Sequence, residues 1–215
     1  MPTLKATYLI DGFNLYHSVK SVQKSLKAPV KWLDIKGLFQ SRLQIVRSNT
    51  GAKVDLKNIY YFSAYANHLK DSGVVVRHKK YVACLEDSGI KVQMSRFKYK
   101  KIYCPFCKAT IPRYEEKETD VSIALKLVEV FLKDECDIAV VVSGDTDIAP
   151  AVRMAKEIYP NKQIFFDFPA NRKNNELGKI CPGSVTIKPS QYSKFQFPDP
   201  YILQNGTIIA KPSSW

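Results

Sequence analysis

The amino-acid sequence predicts an α/β fold: three layers, with a central, mainly parallel sheet and helices on both faces. Three observations carry this. Thr7 to Ile10 (Thr-Tyr-Leu-Ile) is apolar without polar alternation, as in a strand buried on both sides, and it ends in Asp11-Gly12. Ile138 to Val142 (Ile-Ala-Val-Val-Val) repeats that pattern and ends in Ser143-Gly-Asp145. Between and beyond these runs, strand-like and helix-like segments alternate, which is the signature of parallel strands joined by helical crossovers.

The elements follow in order. After the first strand, Phe13 to Val19 starts a helix. Leu33, Ile35, Leu38, Phe39, Leu43 and Val46 recur at near-helical spacing and give a second one. Asn58 to Ala64 is rich in aromatic and β-branched residues, hence a strand. His68 to Asp87 is helical up to Ser88-Gly89, and Ile90 to Met94 starts the next strand. Residues 97–114 break the rhythm and read as a basic hairpin inserted in the domain. Glu118 to Leu132 is an amphipathic helix, with Val121, Ala124, Leu125, Val128 and Leu132 as its expected buried stripe. Then come the Asp137–Ser143 strand, a helix from Asp147 to Ile158, a strand from Gln163 to Phe168 and a short one at Val185 to Ile187. Beyond Pro189 the chain turns proline- and aromatic-rich. There Asn205-Gly206 between Tyr201-Ile-Leu and Thr-Ile-Ile predicts a hairpin. The expected organisation is a domain over residues 1–189 and a tail over 190–215.

Bulk properties narrow the function. A net charge of +13 favours polyanionic partners, nucleic acid or an acidic membrane surface. The longest apolar run falls far short of the roughly 20 residues a bilayer span needs, so no transmembrane span is expected, and the partner expected is nucleic acid, no membrane. The N-terminus makes a poor signal peptide, because Asp11 interrupts its apolar stretch. Five cysteines, an odd number, argue against a disulfide framework and for a cytoplasmic protein.

Asp11 and Asp145 both fall at carboxyl ends of predicted parallel strands, where open sheets build their ligand sites. Asp147 shares a loop with Asp145, and Asp120 lies in the first turn of its helix. Taken singly, each is explained by capping or turn formation. As a set, converging carboxylates repel one another unless a cation joins them. Mg²⁺ or Mn²⁺ relieves that repulsion with few protein ligands, and such ions activate water for attack on phosphodiesters. Asn14 stands one helical turn after Asp11, and Lys117 stands three residues before Asp120, on the same helix face, where it could pair with that acid or meet a phosphate. A phosphatase of the haloacid-dehalogenase type needs a second Asp two residues after the first; here that place is Phe13.

Tyr8-Leu-Ile-Asp-Gly-Phe-Asn14, Lys117-Glu-Thr-Asp-Val121 and Val141-Val-Ser-Gly-Asp-Thr-Asp-Ile148 resemble the three signature blocks of the NYN domain, a branch of the PIN-like nuclease superfamily that includes LabA-like proteins. Their order and spacing are intact from about Tyr8 to Pro189. The resemblance implies a PIN-like, Rossmannoid domain and a Mg²⁺-dependent ribonuclease. By that match Asp11, Asp120, Asp145 and Asp147 are the metal-binding, catalytic acids, with Asn14, Ser143 and Thr146 beside them. Some members of the family act as RNA-binding or regulatory modules, so fold alone does not fix the activity.

From Arg77 to Lys117, eleven Lys/Arg face only four acids. Arg96, Lys98, Tyr99, Lys100, Lys101 and Tyr103 interleave cations with rings, a composition suited to holding phosphates and stacking unpaired bases. The same pattern also protects an exposed edge strand from aggregation. Cys104 and Cys107 have the spacing of half a structural zinc site, to be completed by Cys84, His78 or a second protomer; a tight turn with two thiols explains the pair as well. The expectation is a metal-dependent endoribonuclease. A non-catalytic RNA-binding module of the same fold and a DNA-directed nuclease are its alternatives, since no residue here reads a 2′-hydroxyl.

Overall fold

A computed structural model describes residues 3–215. Its centre is β1 (Leu4–Asp11), whose apolar residues alternate between two cores. Ala6, Tyr8 and Ile10 face one side, packed with α1 (Gly12–Leu26), α2 (Ile35–Thr50) and α3 (Ser72–Asp87). Leu9 faces the other, packed with α4 (Thr119–Leu132) and α5 (Ala149–Ile158). A strand covered on both faces has no use for polar alternation, which is why its sequence shows none.

β2 (Val54–Ala64) and β5 (Ile138–Val142) flank β1, both parallel to it. Beyond β2 lies β3 (Lys91–Tyr103), and beyond β5 lie β6 (Gln163–Phe168) and the short β7 (Val185–Thr186). One edge strand is antiparallel: β4 (Thr110–Lys117) returns along β3. The sheet order is thus β4-β3-β2-β1-β5-β6-β7. This is the three-layer, mainly parallel α/β architecture expected from the sequence.

Two short helices escaped the periodicity, α6 (Asn175–Ile180) and α7 (Pro189–Lys194); at six residues each they are below the length at which an apolar stripe repeats. α3 starts at Ser72 rather than His68, because the Asp71 carboxylate caps the Gly73 amide at 2.9 Å. The hairpin, too, is longer than the 97–114 segment. β3 runs unbroken from the sheet at Lys91–Ser95 into the hairpin from Arg96, so the basic segment extends an existing strand.

The face of α4 is a correction. Ile123, Leu127, Val130 and Phe131 point inward, whereas Val121, Leu125 and Leu132 are 61, 67 and 71 % exposed. The helix carries apolar residues nearly all round, so periodicity could not select the buried stripe; the sheet beneath it did.

A buried ion pair ties the layers. The Arg42 guanidinium on α2 donates through Nε and Nη2 to both oxygens of Asp167 on β6, at 2.5 and 2.6 Å, and through Nη1 to Gln191 on α7. The tail folds back onto the same core: Tyr192 is fully buried, and Trp32 packs against Phe197 and Trp215. Its hairpin joins β8 (Tyr201–Ile202) to β9 (Ile208–Ile209), with Gly206 at φ 85 supplying the left-handed turn residue. No helix among the described residues is long and apolar enough to cross a membrane.

Candidate active site

Parallel register builds the site. Ile10 stands opposite Val142, so Asp11, the next residue, comes alongside Ser143, which follows the end of β5. The Ser143 hydroxyl donates to Asp11 Oδ2 at 2.9 Å and accepts from the Asp145 amide at 3.1 Å. Asp11 Oδ1 accepts from the Asn14 amide at 2.9 Å, capping α1. Asn14 then reaches across: its Oδ1 accepts from the Gly144 amide at 3.2 Å. Asp11, Asn14, Ser143 and Asp145 are therefore one hydrogen-bonded unit spanning two strand ends. Asp145 also caps the short 3-10 turn Thr146–Ile148 by accepting from the Asp147 amide at 3.0 Å. The capping explanation of these aspartates is realised, and it orients their carboxylates.

Two glycines make this approach possible. A Cβ on Gly12 would lie 2.6 Å from the Phe62 carbonyl oxygen, and one on Gly144 would lie 2.2 Å from the Arg172 carbonyl oxygen. Asn174 buttresses the second position by donating to the Gly144 carbonyl at 3.2 Å.

Asp120 arrives from a third element. β4 ends at Lys117, Glu118 takes a left-handed conformation (φ 83), and α4 begins at Thr119, whose amide and hydroxyl donate to the Glu116 carboxylate. Burial pushes the half-buried Asp120 carboxyl up to about 6, with further upward pressure from Asp11, Asp145, Glu116 and Asp147. Burial likewise raises Asp11, against the lowering effect of its Asn14 and Ser143 hydrogen bonds. The four predicted acids thus share one electrostatic neighbourhood, and Glu116 is a fifth that sequence reasoning missed.

They do not form a closed cage. Among the described residues, no three His, Cys, Asp or Glu side chains converge as a metal-holding group. The donor set still suits a hard cation. Mg²⁺ needs only one or two carboxylates and keeps waters for the rest, and mutually repelling acids gain most from its charge.

Lys117 is a second correction. It closes β4 instead of sharing the α4 face, and its ammonium pairs with Glu115 at 3.0 Å, not with Asp120. The intervening left-handed Glu118 breaks the helical register between them. Thr146 is exposed in its turn, with Asp147 beside it.

Strand alternation divides the basic hairpin. Pairing of Phe97 with Glu116, Tyr99 with Tyr114, Lys101 with Pro112 and Tyr103 with Thr110 puts these residues on one face. Arg96, Lys98 and Lys100 lie on the other, where Arg96 pairs with Glu118 and Lys100 with Glu115. The six residues read together in the sequence are divided between the two faces of the hairpin. The Phe97 face holds a run of rings: Phe13 to Phe97 (5.7 Å), Phe97 to His68 (4.4 Å), His68 to Tyr114 (4.4 Å, stacked), and Tyr114 to Tyr99 (5.2 Å). It leads from the residue two after Asp11 out along the hairpin.

A cavity of about 430 Å³ opens beside the same strand ends. Gly12 and Phe13 line it together with Tyr61 and Ser63 of β2, and with rings from α3 and Trp215. Cys104 and Cys107 sit at the hairpin tip, where the Cys104 amide donates to the Ala109 carbonyl at 2.9 Å. All five cysteines are free, and neither Cys84, buried on α3, nor His78 joins the pair in a group of three among the described residues.

The profile of the NYN domain matches residues 5–182. The chain belongs to the NYN domain family. Its mainly parallel sheet and flanking helices are those of a PIN-like NYN fold, in the PIN-like nuclease superfamily. A Vibrio parahaemolyticus protein of unknown function shares the fold, with a TM-score of 0.55 at 16% identity over 91% of this chain and 97% of that one. A Pseudomonas putida relative, 6-hydroxy-3-succinoylpyridine 3-monooxygenase HspA, is 26% identical over 179 residues, 71% of this chain. This NYN chain spans just over half, 56%, of that relative's length.

Glu116, Asn174 and the two close-packed glycines are the site residues that motif reasoning did not single out. Gly12 and Gly144 stood inside the motifs as letters next to the acids. Their need for close backbone approach emerges only when β2 and the 169–174 loop are in place.

Proposed function

We propose that this NYN protein is a metal-dependent nuclease that hydrolyses phosphodiesters, an endoribonuclease by preference. The observation that carries the reading is the junction of Asp11, Ser143, Asn14 and Asp145 at adjacent strand ends, with Asp120 raised to about 6 by burial and then by the nearby charges of Asp11 and Asp145. Such an arrangement costs folding energy, and a divalent cation is the chemistry that recovers it. Asp11, Asp120, Asp145 and Asp147 would hold Mg²⁺ or Mn²⁺. When bound, the ion would supply the activated water and stabilise charge on the phosphoryl group. The chain's own residues do the positioning. Ser143 and Asn14 fix the Asp11 carboxylate, Asp145 is aimed by its cap, and the ring-bearing face of the hairpin holds an unpaired strand leading to the acids. RNA is preferred on family resemblance.

The test is one incubation of labelled single-stranded RNA and DNA with Mg²⁺, Mn²⁺ or EDTA, beside Asp145→Asn. Cleavage should need the ion and fall by at least about a hundred-fold in the variant while its circular dichroism is unchanged. Cleavage retained by Asp145→Asn, or in EDTA, would remove the mechanism. Binding without product under every condition would leave an RNA-binding module.

A second reading takes the name of the Pseudomonas relative, an oxygenase of a substituted pyridine. The ring-lined cavity beside Asp11 favours it, being sized for a small aromatic ligand. Under that reading neither nucleic acid is cut.

A further inference from the structure

The cavity beside Asp11 has a composition that the acids do not explain. Its walls carry the rings of Phe13, Tyr16, Tyr61, Tyr81, Phe97 and Trp215, an aromatic lining suited to a planar ligand. Two cations, Lys31 and Arg77, line it as well, and no lining side chain is a carboxylate. Lys31 has no ion-pair partner among the described residues, and Arg77 pairs only with the largely exposed Asp71. Burial and the charges of Lys20 and Arg77 hold Lys31 below the usual lysine range, so an anion there would be welcomed. One polar atom is left over: His68 Nδ1 is buried and has no hydrogen-bond partner. A buried ring nitrogen without a partner is costly. At about 430 Å³ the cavity lies at the small end of ligand sites, too small for a duplex and large enough for one nucleotide-sized guest.

We infer that this cavity receives a single nucleotide unit, its heteroaromatic base among the rings of Phe97, Tyr61 and Trp215 and its phosphate on Lys31 and Arg77. Two sources offer that chemistry: a free nucleoside monophosphate, or one unpaired nucleotide of a bound strand. The strand source rests on the nuclease reading. It draws on the run of rings that joins the cavity wall at Phe97 to Tyr114 and Tyr99 on the hairpin, a path of stacking surfaces for successive bases. The free-nucleotide source does not depend on cleavage.

The experiment is calorimetry on the full chain in EDTA, which removes the acids' cation from the question. Nucleoside monophosphates, ribose 5-phosphate, inorganic phosphate and a hydroxypyridine carboxylate are titrated separately. At least one nucleotide should bind ten-fold or more tighter than ribose 5-phosphate. Arg77→Ala should weaken it about ten-fold, the loss expected for one charge-assisted contact. Val74→Trp, which fills the cavity from α3, should abolish binding, with circular dichroism checking its fold. For the strand source, single-stranded RNA carrying 2-aminopurine at one position at a time is bound to Asp145→Asn. Quenching concentrated at one position supports a base seated in the cavity, and uniform quenching overturns that source. Ribose 5-phosphate binding as well as every nucleotide would overturn the proposal. So would undiminished affinity in Arg77→Ala, or tighter binding of the pyridine acid than of any nucleotide. Nucleotide binding in a protein that cuts nothing with Mg²⁺ would sink the nuclease reading and leave the cavity assignment standing.

Discussion

Replacing Asp120 by Asn should make the metal-free protein more stable while removing its activity. The carboxyl is raised from 3.8 to about 6, chiefly by burial and then by Asp11, Asp145, Glu116 and Asp147. The sign follows from proton uptake. A folded state with the higher value keeps a proton that the unfolded chain has already released, so stability falls as pH rises from about 4 to about 6. Above that range the penalty is fully present. A shift of this size in a dry interior corresponds to about 3 kcal/mol. Asp120 is only half-buried, so solvent screening reduces the figure to about 1 kcal/mol. Asn cannot ionise and escapes the penalty. In EDTA at about pH 7.5, Asp120→Asn should therefore melt higher by about 2–4 °C, the shift that about 1 kcal/mol gives in a chain of this size. Near pH 4 the two proteins should melt together. Millimolar Mg²⁺ should raise the wild-type midpoint and move the variant much less, since only a bound ion adds stability by mass action. The assay is thermal unfolding by circular dichroism at the two pH values with EDTA or Mg²⁺. A variant less stable than wild type in EDTA at neutral pH, or a gain that persists at pH 4, would show that the Asp120 charge carries no burial penalty.

Gly144→Ala places a methyl group against the Arg172 carbonyl, a backbone clash that flexible side chains cannot absorb. It should cost about 1–3 kcal/mol in denaturant unfolding and lower cleavage by more than that loss of folded protein explains. The two faces of the hairpin should separate in binding assays on single-stranded RNA. Tyr99→Ala, on the ring-bearing face, should weaken affinity by about 1–3 kcal/mol, whereas Lys98→Ala should cost less and mainly flatten the salt dependence. Equal losses in both would show that the strand does not follow the Phe97 face.

The alternation of strands and helices, the parallel sheet and the strand-end positions of Asp11 and Asp145 were legible because apolar runs ending in Asp-Gly and Ser-Gly-Asp report burial and turn chemistry together. Other features depended on partners remote in the chain. The inward face of α4 is chosen by the sheet, since Val121 and Leu125 are as apolar as Ile123 and Leu127. The Arg42–Asp167 pair joins residues 125 positions apart, and nothing local to either announces it. Glu116 enters the acid neighbourhood only because β4 delivers it beside Thr119. Lys117 misled because three-residue spacing means a shared face within a helix, and that helix had not yet begun. The division of the hairpin by faces was in principle readable from period two, but a segment with no anchored register gives no hint of which face meets the site.

The strand-end acids are expected to take up a divalent cation together. Calorimetric titration of Mg²⁺ and Mn²⁺ into the wild-type chain, Asp11→Asn and Asp145→Asn measures it directly. Saturable uptake is predicted for wild type, weakened at least about ten-fold in either variant, with protons released on binding below about pH 6 as Asp120 gives up its own. Absence of uptake by the wild type, or equal uptake by all three, would show that these acids do not share an ion.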